Sequence, residues 1–331
     1  MLPFVLALQR LADAAAAPAL GSLQAAMNNC TPAAFGAVPL PAAYKSMQCS
    51  GTFDATNAIS SALQWCSSKT VVVDGRYRVD GTVTVAYSKE LHVPIGAGLV
   101  RTNCSASTGP VVVVGQAGLL SGHGTIASEL PSPRGVVNLG PGCAAYVNGS
   151  MNPHCLENVV FATIEGVRIS GHGKYTNFDR NPPWNPNATA ESGVALEQCG
   201  SWVGQRASFG ANGSVGLCID SSQPNRGGST YLNTVRDVVI SGVDVGTYLG
   251  KIVNGNQLHN ILYYATTIGT WTEGNGENSF VGGFSHFGEA AKGQDSGTQV
   301  DLSLSAQEFS NCLPLLKGTA FVVDSGDPSN R

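Results

Sequence analysis

Carboxylates, imidazoles, a guanidinium and aromatic rings gather between Arg236 and Glu289 in a chain that is only 12% charged. Asp244 and Glu273 are the carboxylates placed to serve as an acid/base pair. Glycosidic hydrolysis needs one such group to protonate the leaving oxygen and another to activate water. His259 and His286 are alternative bases, because imidazole exchanges its proton near neutral pH. Arg236 could steady developing negative charge. Tyr248 and Trp271 supply rings that cover the apolar faces of sugars, and Trp184, in a separate insertion, could wall a cleft. Together these residues read as an outward groove for a polysaccharide. The plain alternative is a solvated polar face with no ligand.

The groove exists only if stacked coils bring these residues into register. Ile164–Gly171 resembles Val235–Gly242, and Asp237–Gly246, Asn260–Gly269 and Ser279–Gly288 align on their final glycines. Those glycines recur at about twenty residues, a period typical of a solenoid. The alignment stacks Arg236, His259 and Asn278 in one column; Glu165 maps onto the same column, with the number of intervening coils left open. A second column holds Asp244, Thr267 and His286, and a third holds Tyr248 and Trp271. Apolar neighbours such as Val238, Ile240 and Val243 then point inward.

Short β-branched clusters run from Val71 to Val323 with glycine between them, and no long helix interrupts them. The 41 glycines suit tight turns, and the scarcity of charge is against long amphipathic helices. Asp-Gly and Asn-Gly pairs keep an antiparallel sandwich as the alternative. Ahead of the strands, Ile59, Leu63 and Cys66 follow helical spacing, with Asp54 or Thr56 as cap. A helix of about three turns needs a surface to lie on, and the open end of a solenoid is one. The expected organisation is a leader or signal peptide over 1–28, an extended arm and capping helix over 29–68, and a parallel β-helix over 69–331. No obvious terminal cap follows Phe321–Gly326, so the β-helix reads as incomplete at the C-terminus, where a bare end would need a partner chain or further residues.

The net charge of −4 gives no case for nucleic acid, and no apolar run is long enough for a membrane helix. Nine cysteines lack any Cys-x-x-Cys pair, which is against a zinc ribbon or redox couple. With glycosylation triplets at Asn29, Asn103, Asn148, Asn187 and Asn212, they favour a secreted or cell-surface protein.

Phe35–Val38, Ser50–Ile59 and Val71–Val79 resemble the arm, helix cap and first strand of the pectate-lyase-like superfamily of right-handed β-helix proteins. Asn278–Phe284 is similar to late coils of phage tailspikes. The resemblance, over about residues 35–325, implies an all-β right-handed parallel β-helix with a short N-terminal capping helix. It further implies work on polysaccharides by elimination, hydrolysis or epimerisation, or glycan binding and surface building without catalysis. Calcium is the cofactor it allows, and a homotrimer is the assembly it allows. The motif set of polygalacturonases is incomplete: Gly-His-Gly occurs at His123 and His172, but Asn233-Thr234 is followed by Val235 and no two acids are adjacent. No dense carboxylate cluster marks a calcium site either. His123 and His172 therefore read as turn residues, and the Tyr175–Asn187 insertion as a functional loop or a glycosylated flap.

Overall fold

The computed structural model describes residues 27–41, 49–107, 109–132, 134–140, 146–147, 150–151, 159–172, 214–219, 230–243, 245–249, 253–264, 266, 268–272, 278–286 and 319–323. Helix α1 (Thr56–Trp65) precedes a series of short strands. The first three coils are β1 (Thr70–Val72), β2 (Arg76–Arg78) and β3 (Val83–Val85); β4 (Glu90–Val93), β5 (Gly98–Arg101) and β6 (Val112–Val114); and β7 (Leu119–Gly122), β8 (Thr125–Ser128) and β9 (Val137–Leu139). A small antiparallel pair follows, β10 (Tyr146–Val147) with β11 (Ser150–Met151), flanking the Asn148-Gly149 dipeptide.

The next three coils gain a fourth strand. They are β12 (Val159–Val160), β13 (Thr163–Glu165), β14 (Arg168–Ser170) and β15 (Val215–Ile219); then β16 (Thr230–Tyr231), β17 (Thr234–Arg236), β18 (Val239–Ser241) and β19 (Val245–Leu249). The next is β20 (Val253–Asn254), β21 (Gln257–His259), β22 (Leu262–Tyr264) and β23 (Ile268–Thr272), and the last is β24 (Ser279–Val281), β25 (Phe284–His286) and β26 (Thr319–Val323).

Each coil places one strand in each of three seven-stranded sheets. The first sheet is β1-β4-β7-β13-β17-β21-β24, the second β2-β5-β8-β14-β18-β22-β25, and the third β3-β6-β9-β15-β19-β23-β26. All pairings within them are parallel, and β12-β16-β20 forms a small fourth sheet. The chain is thus mostly β, with stacked parallel sheets that fit a solenoid. Parallel pairing contradicts the antiparallel sandwich.

Alternation explains the sheets. In the first sheet the middle residues Val71, Leu91, Leu120, Ile164, Val235, Leu258 and Phe280 are in register and buried, while their neighbours point outward. A slip of one residue would expose that column, at roughly 1.5–3 kcal/mol for each large apolar side chain. The register is therefore strongly specified.

The corner between the first and second sheets repeats a left-handed residue: Gly166, Asp237, Asn260 and Gly282, with φ of 73°, 55°, 51° and 65°. Gly, Asn and Asp are the residues that tolerate this region best. The Asp237 N–H donates to His259 O at 3.0 Å, the Asn260 N–H to Val281 O at 2.8 Å, and Asn260 Nδ2 to Asp237 Oδ1 at 2.8 Å. Gln257 pairs with Ser279, which corrects the shorter step expected between the last two coils. Matching Gly288 to Gly269 set that shorter step, but the strand paired with β23 is β26, beyond residues 287–318.

Before β17, β21 and β24 lies a buried asparagine ladder. Asn233 Nδ2 donates to Asn256 Oδ1 and Asn256 Nδ2 to Asn278 Oδ1, each at 2.9 Å. The backbone N–H groups of Asn233 and Asn256 donate to those same oxygens at 3.1 Å.

Helix α1 meets the first coil as its pattern requires. Ile59, Ala62 and Leu63 join one buried cluster with Val71, Tyr77 and Val83. Asp54 Oδ1 accepts the Thr56 N–H at 3.0 Å, the Thr56 hydroxyl at 2.6 Å and the Asp80 N–H at 3.1 Å. Burial opposes ionisation of Asp54, but these bonds outweigh it and hold its carboxyl below the usual range. Cys30–Cys66 and Cys49–Cys104 are disulfides that tie the arm to the helix end and to the turn after β5. Residues 1–26, where a leader was expected, lie outside the described residues.

In the third sheet the core face carries hydroxyls. The Tyr263 hydroxyl reaches Thr247 Oγ1 at 2.9 Å and Thr270 Oγ1 at 2.8 Å. Its ring lies over Gly246, where a Cβ would collide with it. Burial pushes the Tyr263 phenol up to about 12, with the two threonine bonds acting weakly the other way. A phenol whose folded value lies above its unfolded one adds stability that is whole below pH about 10 and lost as pH rises toward 12. Denaturant unfolding should therefore weaken across that window. Tyr263→Phe should flatten this dependence, and an unchanged slope in the variant would refute the assignment.

Candidate functional site

The outer face of the first sheet carries a polar column that alternation demands and the coil register assembles. Arg236 of β17 pairs with Glu165 of β13 on one side and His259 of β21 on the other. Arg236 Nε and Nη2 both donate to Glu165 Oε2, at 2.8 and 2.5 Å. The side chains are 56% and 30% exposed, so the pair faces solvent. The Glu165 hydrogen bond and charge raise the Arg236 guanidinium's already high value. His259 is half-buried beside them, and its imidazole makes no hydrogen bond to another described residue.

At the other end of the same face, β1, β4 and β7 bring together Thr70, Glu90, His92 and Ser121. Glu90 pairs with Thr70 and Leu119, and His92 with Ser121. The Ser121 hydroxyl donates to Glu90 Oε1 at 2.6 Å, and the Thr70 hydroxyl donates to Glu90 Oε2 at 2.7 Å. His92 Nδ1 lies 2.8 Å from Ser121 Oγ. Glu90, His92 and Ser121 were not among the residues expected. The Glu90-Leu-His-Val93 alternation was their only signal, since the steps from Thr70 to Glu90 and from His92 to Ser121 follow no single period.

The expected columns are partly assembled. Glu165, Arg236 and His259 come together on directly paired strands. Asn278 does not join them: it lies in the buried ladder, and Val281 takes the position beside His259. His286 is displaced as well. It pairs with Tyr264 in the second sheet, not with the third-sheet column, because the true step between the last coils is longer than the expected one. Tyr248 and Trp271 do pair, as the alignment had them. Tyr248, however, is fully buried, so it is no exposed groove ring. Its neighbour in register, Cys218, is also fully buried and is disulfide-bonded. The outer face of the third sheet is covered at that level. Asp244, Thr267, Glu273 and the Trp184 insertion lie outside the described residues.

His123 occupies the turn between β7 and β8, exposed between Gly122 and Gly124. His172 follows β14 and is exposed, and its carbonyl accepts from the Ser214 hydroxyl at 2.6 Å. Among the described residues, no group of three or more His, Cys, Asp or Glu side chains could hold a metal ion. No helix of the described residues is long and apolar enough to cross a membrane.

No family model matches the chain, and no curated protein matches it. Among solved structures the chain is similar to Geobacillus virus E2 ORF18, at 11% identity over 77% of this chain and 61% of that chain, with a TM-score of 0.19. The chain thus spans under two thirds of that structure's length, and a likeness of this size carries no argument.

Proposed function

We propose that this chain is a secreted right-handed parallel β-helix of the pectate-lyase-like type that binds a polysaccharide and cleaves it as a lyase or glycoside hydrolase. The observation that carries the reading is the outward alignment of Glu165, Arg236 and His259 on paired strands. A carboxylate, a guanidinium and an imidazole at rung spacing, about 4.8 Å apart, offer a repeating set of hydrogen-bond partners to a repeating polymer. Parallel sheets stacked coil on coil support the β-helix, and right-handed crossover is the general rule for parallel connections. The disulfides suit an oxidising compartment. Asp244 and Glu273 stay as the proposed acid/base carboxylates, with His259 or His286 as the alternative base. Calcium and a homotrimer are carried only by the family resemblance.

A second reading is a non-catalytic adhesive or structural surface protein. It is favoured by the Glu165–Arg236 pair, in which each charge is already satisfied by the other. A panel including polygalacturonate and a neutral β-glucan separates the two when unsaturated products and new reducing ends are both followed. Arg236→Ala should weaken binding of the recognised glycan roughly tenfold, the loss of one charge-assisted contact. The exposed ion pair adds little to folding, so the variant should remain folded. Unchanged binding in Arg236→Ala would remove this face from the proposal, and retained turnover in Asp244→Ala/Glu273→Ala would remove those carboxylates.

A further inference from the structure

We propose that His92, Ser121 and Glu90 form a proton-accepting site on the outer face of the first sheet, taking a saccharide hydroxyl or a water beside it. His92 is the base, in place of the carboxylate or imidazole base named above, and Ser121 and Glu90 are positioning residues. The inference rests on the polysaccharide reading for its substrate, but its wiring follows from hydrogen bonding alone.

A serine hydroxyl carries one proton. Ser121 lies 2.6 Å from Glu90 Oε1, and an ionised carboxylate can only accept, so the proton points there. His92 Nδ1, 2.8 Å from the same hydroxyl, must then be the donor. The imidazole is therefore the Nδ1–H tautomer, and its Nε2 lone pair is left to accept. Thr70 donates to the other Glu90 oxygen at 2.7 Å, which keeps the carboxylate from turning away.

Burial divides the roles. Ser121 is 3% exposed and is no accessible nucleophile, whereas the His92 side chain is 39% exposed. When Nε2 takes a proton, the O–H bond of the hydroxyl or water breaks. The freed electron pair forms the new bond to the sugar's anomeric carbon as the glycosidic C–O bond breaks, and the leaving oxygen takes a proton from solvent. The resulting imidazolium lies with Nδ1 3.8 Å from Glu90 Oε1, where the carboxylate offsets its charge. The same base returns its proton to solvent. Farther along this face come Glu165, Arg236 and His259, so a chain bound across the coils would meet both clusters.

Nitrogen NMR of the full chain reads the wiring directly. Wild type should show His92 as the Nδ1–H tautomer, Ser121→Ala should convert it to Nε2–H, and Ser121→Thr should keep Nδ1–H. An Nε2–H tautomer in wild type overturns the proposal. If polygalacturonate or the β-glucan is cleaved, His92→Ala should lower kcat about 100-fold or more, the usual scale of a lost general base, with KM changed far less. Full kcat in His92→Ala overturns the site and leaves the polysaccharide reading standing. If neither polymer is cleaved, catalysis fails as a reading, and the site is decided by binding. Displacement of the His92 nitrogen resonances by either polymer supports it, and resonances unmoved by both overturn it.

Discussion

Asn256→Ala is expected to destabilise the fold by roughly 4 kcal/mol, the sum of several buried groups losing their partners. Asn256 is fully buried, and every polar atom of its amide is used. Its oxygen accepts from the Asn233 backbone N–H at 3.1 Å and from Asn233 Nδ2 at 2.9 Å. Its nitrogen donates to Thr230 O at 3.1 Å and Asn278 Oδ1 at 2.9 Å. Alanine leaves buried donors facing a small void, which costs more than the net worth of the bonds. Asn256→Asp should be as harmful, since it keeps an acceptor but replaces the donor with a buried charge. Gln257→Ala, one residue on and exposed, should change stability by less than about 0.5 kcal/mol. Denaturant unfolding of the three variants checks this, and a loss under about 1 kcal/mol for Asn256→Ala would contradict the ladder. The consequence reaches the surface, because the ladder immediately precedes β17, β21 and β24. Loosening it should disturb the spacing of Arg236 and His259.

Opening the Cys49–Cys104 disulfide is expected to be nearly as costly. Its sequence separation is 55 residues, and loop-closure entropy for a loop of that length corresponds to about 4 kcal/mol, an upper figure. The cross-link holds the arm before α1 against the turn after β5. Two buried arginines support the same corner. Arg78 Nη2 donates to Ser50 O at 2.7 Å, and Arg101 donates to backbone oxygens of Gly81, Gly109 and Pro110. Burial lowers the Arg101 guanidinium to about 10, with Asp80 acting the other way. Cys49→Ser/Cys104→Ser should therefore lose roughly 2–4 kcal/mol while keeping the coil stack. Wild type under reducing conditions should lose at least as much, because Cys30–Cys66 opens too. A variant as stable as wild type would show that the arm is held by contacts alone.

The coil plan was legible because it is written in short-range signals. Ile164–Gly171 aligned with Val235–Gly242, and the strands pair in that register: Ile164 with Val235, Ile169 with Ile240, Ser170 with Ser241. That single match put Glu165 in Arg236's column but left open how many coils lie between them; the structure makes them direct neighbours. The left-handed corners at Asp237 and Asn260 were not read from the sequence, although few side chains accept that backbone. The Ser50–Ile59 segment likewise led to a helix over the first coil, with Asp54 at its start.

Sequence by itself determined the alternation, the capping helix and the step that stacks Arg236 on His259. Tertiary structure alone decided which outer faces meet solvent and which coils adjoin. Alternation with period two separates the two faces of a strand but says nothing of what lies beyond the outer one, so Tyr248 is buried where an exposed ring was expected. Inter-coil register passes through insertions, and closing a longer loop adds little free-energy cost. One sheet therefore holds partners as unequally separated along the chain as Thr70 with Glu90, His92 with Ser121 and Glu165 with Arg236. Glu90, His92 and Ser121 became neighbours through such unequal steps, and their hydrogen bonds exist only once the coils are stacked.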